Sequence, residues 1–251
     1  MDLNLKGRGV IVTGASKGLG RAAARALAAE GANVLAVART EASLHELSNE
    51  DFSGTIHPHV CDMRDRNQVA ALADKAVDLL GRLDVVVNNA GIAPAANFLE
   101  MDMSLFDEVM EVNVAAIAVL SQAAGRRFIE QGSGGRIINI VSTSGILGKA
   151  TLAAYSASKG AAIQMTKALA AEWARHDIQV NAIAPGAFAT EAQAYVTGNP
   201  DVLEKRVKKI PARRMADPEE IGPLVCYLSS SSSKFVSGAV YVIDGGETAK
   251  Q

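Results

Sequence analysis

Between an apolar, β-branched run, Gly9-Val10-Ile11-Val12, and a stretch of alanine, leucine and arginine from Arg21 to Ala29, the chain carries Thr13-Gly14-Ala15-Ser16-Lys17-Gly18-Leu19-Gly20. The first run reads as a buried strand. The last reads as a helix, because alanine, leucine and arginine are strong helix formers. A strand that turns through glycines into a helix start makes an anion site, where free backbone N–H groups and the positive dipole end converge. Gly14 permits the tight turn, Gly18 lets a pyrophosphate approach the backbone, and Gly20 lets the helix pack close to the sheet. In this context the expected ligand is a dinucleotide; an ordinary glycine-rich connection is the plainer alternative.

Strand-like and helix-like segments alternate along the rest of the chain. Strands are expected over 9–13, 33–38, 55–60, 84–87, 135–142, 178–183 and 239–243, and helices over 18–30, 41–50, 65–80, 104–131, 152–175 and 218–229. Val85-Val86-Val87 and Ile137-Ile138-Asn139-Ile140-Val141 are nearly continuous apolar runs, as in strands covered on both faces. The expected class is therefore α/β: a doubly wound sheet of about seven parallel strands with helices on both faces and ligands beyond the carboxyl ends of the strands. A hydrophobic fraction of 49% with only 4% aromatic residues suits such a fold, its core built from small and branched aliphatics. No Pro/Gly/Ser linker divides the chain, so a single domain over 1–251 is expected, and the serine run 229–233 reads as a turn after a helix.

The formal net charge of −2 gives no reason to expect nucleic acid. No stretch approaches the ~20 apolar residues of a membrane span. Met1-Asp2-Leu3-Asn4-Leu5-Lys6 lacks the basic-then-apolar build of a signal peptide, so a cytoplasmic location is expected. Cys61 and Cys226 lack metal-like spacing and read as reduced core thiols; the scattered His45, His57, His59 and His176 do not form a ligand set, and no metal is expected.

Tyr155 and Lys159 stand four apart in the helix expected from 152, so they share a face. Ser142 closes the 135–142 strand, at the sheet end where reactive groups are presented. Together with Asn113, Asn88-Asn89-Ala90-Gly91, Asn181, Pro185-Gly186, Thr190 and Asp244-Gly245-Gly246, in this order and spacing, the chain resembles the short-chain dehydrogenase/reductase family over essentially its whole length. The resemblance implies a Rossmann-type fold and an oxidoreductase passing a hydride between a nicotinamide coenzyme and a ketone or secondary alcohol. It implies Asn113, Ser142, Tyr155 and Lys159 as the catalytic set, with Asn113 anchoring a water that links Lys159 to solvent. Coenzyme contacts are implied at Ser16, Lys17 and Leu19 beside the three glycines, at Thr40, at Asp62 and Met63, at Asn89, Ala90 and Gly91, and at Pro185, Gly186 and Thr190. Residues 187–215 correspond to the family's variable substrate lid, and a homotetramer, with a dimer next, is the implied assembly.

The chemistry stands beside the resemblance. An alkoxide formed at a reduced carbonyl needs a proton, which a phenol donates; its free pKa of ~10 makes the phenolate a scarce base for the reverse reaction. An ammonium ~5 Å away is worth roughly 3 kcal/mol at an effective dielectric near 20, about two pKa units, so Lys159 is expected to lower Tyr155. Ser142 is expected to hold the carbonyl oxygen.

A fold of this kind that prefers NAD usually has an acid after the second strand for the ribose 2′-hydroxyl. Here that strand ends Val37-Ala38-Arg39-Thr40. Arg39 can grip a 2′-phosphate through paired donors while Lys17 adds a point charge, which favours NADP(H); solvated surface cations are the alternative. Asp62 is expected either beside adenine, by resemblance, or as the cap of the helix starting at 65.

The substrate side is expected to be apolar, formed by Ile146, Leu152 and Phe188 with Ala93 and Leu147, with Ser144 beside them and Lys149 at the mouth. Lys205, Arg206, Lys208, Lys209, Arg213 and Arg214 could attract a carboxylate or phosphopantetheine, or form the solvated face of a helix. The leading expectation is an NADP(H)-dependent oxidoreductase of a small-molecule ketone or alcohol. The alternatives are a 3-oxoacyl reductase acting on acyl carrier protein or coenzyme A, a sugar-acid dehydrogenase of the gluconate type, and a non-catalytic NADP-binding sensor.

Overall fold

The computed structural model describes residues 3–250. These form a seven-stranded sheet in the order β3-β2-β1-β4-β5-β6-β7, with every neighbouring pair parallel. The strands are β1 (Gly9–Thr13), β2 (Asn33–Ala38), β3 (Thr55–Val60), β4 (Val85–Asn88), β5 (Gly135–Ile140), β6 (Ile178–Pro185) and β7 (Val240–Ile243). The first three match the expected strands residue for residue. β5 stops short of Ser142, which instead leads a 3-10 turn, Thr143–Gly145.

The apolar runs divide by their period of two. Val10 and Val12 of β1, Val85 and Val87 of β4 and Ile138 of β5 face one layer, formed by α1 (Gly18–Ala29), α2 (Glu41–Ser48) and, from the far end of the chain, α9 (Gly222–Ser229). Ile11, Val86 and Ile137 face the other, where α3 (Arg66–Leu80), α5 (Ala116–Gln131) and α6 (Ala153–Trp173) supply Leu72, Leu120, Phe128 and Ala170. Strands buried on both faces need no polar alternation, which is why Val85-Val86-Val87 carries none.

The order reverses between β1 and β4, whose register pairs Val12 with Val87. Thr13 and Asn88, the last residues of those strands, thus open side by side at the carboxyl edge, where a doubly wound sheet leaves a crevice.

The helix expected over 104–131 is interrupted. α4 (Met103–Met110) passes through a π-helical turn, Glu111–Ala115, before α5 begins. One extra residue per turn rotates the side chains against the helical period, a feature found chiefly at functional sites. The 187–215 segment carries a 3-10 turn, Glu191–Gln193, then α7 (Ala194–Thr197) and α8 (Pro200–Lys208), and α8 places Lys205, Arg206 and Lys208 on a helix, the alternative read for the basic run. Asn199 caps α8 by accepting from Val202 N, with Pro200 in its first turn. Both cysteines are buried and free, and burial pushes the thiols up to about 11 for Cys61 and about 12 for Cys226. Among the described residues, no helix is long and apolar enough to cross a membrane.

Candidate active site

The glycine turn and the Asn88–Gly91 segment are sewn together at the switch between β1 and β4. Thr13 Oγ1 accepts from the backbone N–H of Asn89 and of Ala90, both at 3.0 Å. Asn89 Nδ2 donates to Thr13 O at 2.9 Å and to Gly14 O at 3.3 Å. Gly14 and Gly18 have φ of +68° and +55°, a region that L side chains rarely adopt. A Cβ on Gly20 would lie 2.3 Å from both Gly14 O and Asn89 Nδ2, so the close approach of helix to loop requires glycine there. The first turn of α1 carries no acidic residue, and Lys17, its N-cap position, is exposed with its side chain making no cap bond. No acid within α1 itself opposes its N–H groups and dipole end, although Glu191 Oε2 comes within 3.6 Å of the Gly18 Cβ position, and the cradle fits a pyrophosphate. Ser16 and Leu19 flank it, both half-buried.

Beyond β2, Arg39 and Thr40 are exposed. Asp62 accepts from Arg64 NH2 at 2.6 Å and from Arg64 N at 3.0 Å, and these bonds, with a smaller contribution from the Arg39 charge, hold its carboxyl below the usual range. The helix-cap alternative for Asp62 does not hold. Asp65 caps α3, accepting from Asn67 N at 2.9 Å and Gln68 N at 3.1 Å. Met63 packs half-buried on the α3–α5 core.

Past β5 the reactive groups converge. The Ser142 side chain stands beside the Tyr155 hydroxyl and favours its ionised form, and Ser142 Oγ accepts from Ser144 N at 3.1 Å. Lys159 is 3% exposed; its Nζ donates to Ile140 O at 2.8 Å and lies 5.7 Å from the Tyr155 ring centroid, within cation–π range. A Cβ on Gly91 would lie 3.5 Å from Lys159 Nζ, so the Asn88–Gly91 segment borders the ammonium. The expected lowering of Tyr155 by Lys159 is not what this arrangement produces. Burial pushes the phenol up, relieved in part by the neighbouring Ser142 side chain, and burial alone pulls Lys159 down to about 8. Water removal acts on both groups and is the largest cause of each shift.

Asn113, fully buried in the π turn, has its side-chain amide committed: Nδ2 donates to Ile92 O at 2.9 Å and Ser158 Oγ at 3.0 Å, while Oδ1 accepts from Ile92 N at 2.9 Å. Its side chain braces the site. Ser158, one residue before Lys159, escaped the sequence reading although the three-residue spacing from Tyr155 places it on the same helical face.

Pro185 ends β6, and Gly186 N donates to Ile243 O at 2.9 Å. A Cβ on Gly186 would lie 2.6 Å from Asp244 Cβ, which explains the pairing of these two motifs in the sequence. Asp244 in turn accepts from Gly246 N and Thr248 N. Thr190 comes within 3.4 Å of the Cβ position of Gly18, bringing the base of the 187–215 segment over the glycine turn. Behind it, Gly18, Arg21, Arg25, Thr190, Glu191 and Thr197 are among the residues lining a cavity of about 330 Å³.

On the substrate side, Ile146 and Leu147 are 46% and 53% exposed on the turn after Ser142, and Ser144 and Leu152 are half-buried beside them. Phe188 departs from expectation. It is 3% exposed and packed into the α1–α9 core layer, next to a bridge with Ala216 across the chain. An apolar ring immediately after β6 is claimed by the core before a cleft can use it. Three of the six cations of the basic run are paired with acids: Arg206 with Glu247 at 2.6 and 2.7 Å, Arg214 with Glu220 at 2.5 and 2.8 Å, and Lys208 with Glu204 at 2.5 Å. Among the described residues, no group of three or more histidine, cysteine or acidic side chains is arranged to hold a metal.

A parallel doubly wound sheet with a glycine cradle at its switch point and a serine–tyrosine–lysine set beyond β5 defines a nucleotide-dependent oxidoreductase. A family model described as "Enoyl-(Acyl carrier protein) reductase" matches residues 14–248. The 2-dehydro-3-deoxy-D-gluconate 5-dehydrogenase of Dickeya dadantii is 37% identical over 248 residues, covering 98% of each chain. The 3-oxoacyl-[acyl-carrier-protein] reductase of Thermotoga maritima is 35% identical over 246 residues, covering 97% of this chain and 99% of the relative. The crystal structure of a gluconate 5-dehydrogenase from Burkholderia cenocepacia, in complex with NADP and tartrate, superposes with a TM-score of 0.92 at 33% identity, covering 100% of this chain and 98% of that one. The chain belongs to the short-chain dehydrogenase/reductase family and is an oxidoreductase.

Proposed function

We propose that the protein is an NADP(H)-dependent reductase of a ketone, or in reverse a dehydrogenase of a secondary alcohol, with Tyr155 as general acid and base. The observation that carries this reading is the meeting of Ser142, Tyr155 and Lys159 beyond β5, beside the glycine cradle. The cradle at Gly14, Gly18 and Gly20 would hold the pyrophosphate, and Arg39 and Lys17, both exposed, would meet a ribose 2′-phosphate. NADP in the Burkholderia relative supports the same preference. When bound, NADPH supplies the hydride, and its oxidised form takes one back in the reverse direction.

The chain's own residues handle the proton. A phenol pushed up by burial stays protonated at neutral pH, which suits a donor to the developing alkoxide. Ser142, beside that phenol, holds the carbonyl oxygen next to it and stabilises its growing charge. Lys159 uses one donor on Ile140 O and has others to fix the ribose hydroxyls and the site's potential. Asn113 keeps Ile92 and Gly91 in place against that ammonium. We take 187–215 as a lid, a reading supported by the approach of Thr190 to Gly18.

A sugar acid is the second reading, supported by the similarity to the Dickeya and Burkholderia proteins. Against it stands the pairing of Arg206 and Arg214, which leaves the lid fewer free cations for a carboxylate. A homotetramer is the assembly we favour; the exposed Phe235 and Val242, the latter on the edge strand β7, supply apolar surface for it. The deciding experiment follows the absorbance of the reduced nicotinamide with neutral ketones, keto-sugar acids and 3-oxoacyl thioesters. Oxidation of NADPH by at least one class is expected; silence across all of them refutes the proposal.

A further inference from the structure

The buried amide of Asn113 has a hydrogen-bond pattern with only one consistent polarity. Ser158 Oγ donates to Tyr155 O at 2.7 Å, so the hydroxyl has its lone pairs left for an approaching donor. That donor is Asn113 Nδ2, at 3.0 Å. With its nitrogen turned to Ser158 and to Ile92 O, Asn113 presents Oδ1 to Ile92 N. Each donor meets an acceptor, and reversing the amide would set Oδ1 against a carbonyl and Nδ2 against an N–H. Both Asn113 and Ser158 are fully buried, so water does not substitute for a missing partner. The same amide borders the ammonium: the Cβ position of Gly91 lies 3.1 Å from Asn113 Oδ1 and 3.5 Å from Lys159 Nζ.

We infer that Ser158 is a positioning residue of the reaction: it holds the Asn113 amide, whose polarity the Ile92 backbone sets, and ties the π turn to the helix that carries Tyr155 and Lys159. A single hydroxyl thereby links three elements, namely α6 through Tyr155 O, the π turn through Asn113, and the segment after β4 through Ile92 and Gly91. The inference rests on the proposal that Tyr155 and Lys159 carry the proton chemistry. Ser156 provides an internal control. It lies two residues away on the same helix, and its Oγ is buried without a hydrogen-bond partner.

The test compares Ser158→Ala, Ser156→Ala and Tyr155→Phe with the unaltered protein, in steady-state kinetics across pH and in equilibrium binding of NADP⁺. Ser158→Ala is expected to lower kcat about tenfold or more, because small displacements of reacting groups are costly, while leaving the NADP⁺ dissociation constant within about twofold. Its kcat–pH profile is expected to shift, because Gly91 no longer has a fixed place against Lys159. Ser156→Ala is expected to behave like the unaltered protein in all three readouts. If Ser158→Ala keeps kcat within about twofold and an unmoved pH profile while Tyr155→Phe is inactive, this inference fails and the proposed chemistry stands. If Tyr155→Phe turns over normally, both fail. Should Ser158→Ala not fold, Ser158→Cys, similar in size but a weaker donor, takes its place; reduced kcat with a shifted profile supports the inference, and unaltered values overturn it.

Discussion

Lys159 should make the protein more stable as the solution becomes more alkaline. Its ammonium is 3% exposed and has one hydrogen bond, to Ile140 O, and burial holds its pKa at about 8 against an ordinary 10.5. The folded state therefore binds the proton less tightly than the unfolded state. Below pH 8 the buried charge opposes folding in full, and the penalty is relieved as pH rises through the window from about 8 to 10.5. At 1.36 kcal/mol per pKa unit the full penalty is about 3 kcal/mol, of which about 2.5 kcal/mol is removed between pH 7 and pH 10. Lys159→Met keeps much of the side-chain volume without the charge, and it leaves Ile140 O without its donor, a loss that does not depend on pH. The assay is urea unfolding of both proteins without coenzyme at pH 7 and pH 10. Other titrating groups cancel in the difference between the two proteins. Relative to Lys159→Met, the unaltered protein should gain about 2.5 kcal/mol over that range. A difference that stays flat, or that falls with pH, would refute the reasoning, because it would mean the ammonium is solvated or paired after all.

Arg39→Asp should reverse the coenzyme preference, since a carboxylate at the end of β2 repels a 2′-phosphate and accepts from a 2′-hydroxyl; kcat/KM with NADPH and NADH measures it, and unchanged NADPH preference would count against Arg39. Gly20→Ala should abolish measurable NADP⁺ binding and cost about 1–3 kcal/mol of stability, because the new methyl meets Gly14 O and Asn89 Nδ2 at 2.3 Å; calorimetric binding and a thermal melt read the two effects. Light scattering at micromolar concentration should return four times the mass of the chain, and a monomer would contradict the favoured assembly.

The sheet was legible because its strands are driven by an unusually plain signal. Val85-Val86-Val87 can only be buried on both faces, and β1 and β2 end where Gly14 and Arg39 follow their apolar runs. The π turn at Glu111–Ala115 was not legible, since no residue in Glu111-Val112-Asn113-Val114-Ala115 breaks a helix. It is set by tertiary hydrogen bonds from Asn113 to Ile92 and Ser158, which lie 21 and 45 residues away. Distance in sequence also hid the fate of the basic run, because Arg206 finds Glu247 only once the chain's end has folded back. Phe188 was misplaced for a related reason: an aromatic near a cleft and an aromatic in a core look alike until burial is known. The electrostatics of Tyr155 turned on a similar point. Spacing gave the neighbouring charge but not the loss of water around both groups, which is the largest cause of each shift.

The most direct test of the proposed chemistry is Tyr155→Phe, which removes one oxygen and leaves the ring, the helix and the glycine cradle in place. With NADPH and an accepted ketone, kcat should fall by about 10²–10⁴-fold, the usual contribution of a positioned proton donor, while the NADP⁺ dissociation constant changes little. A phenylalanine variant that turns over within about tenfold of the unaltered protein would contradict the claim that this phenol supplies the proton.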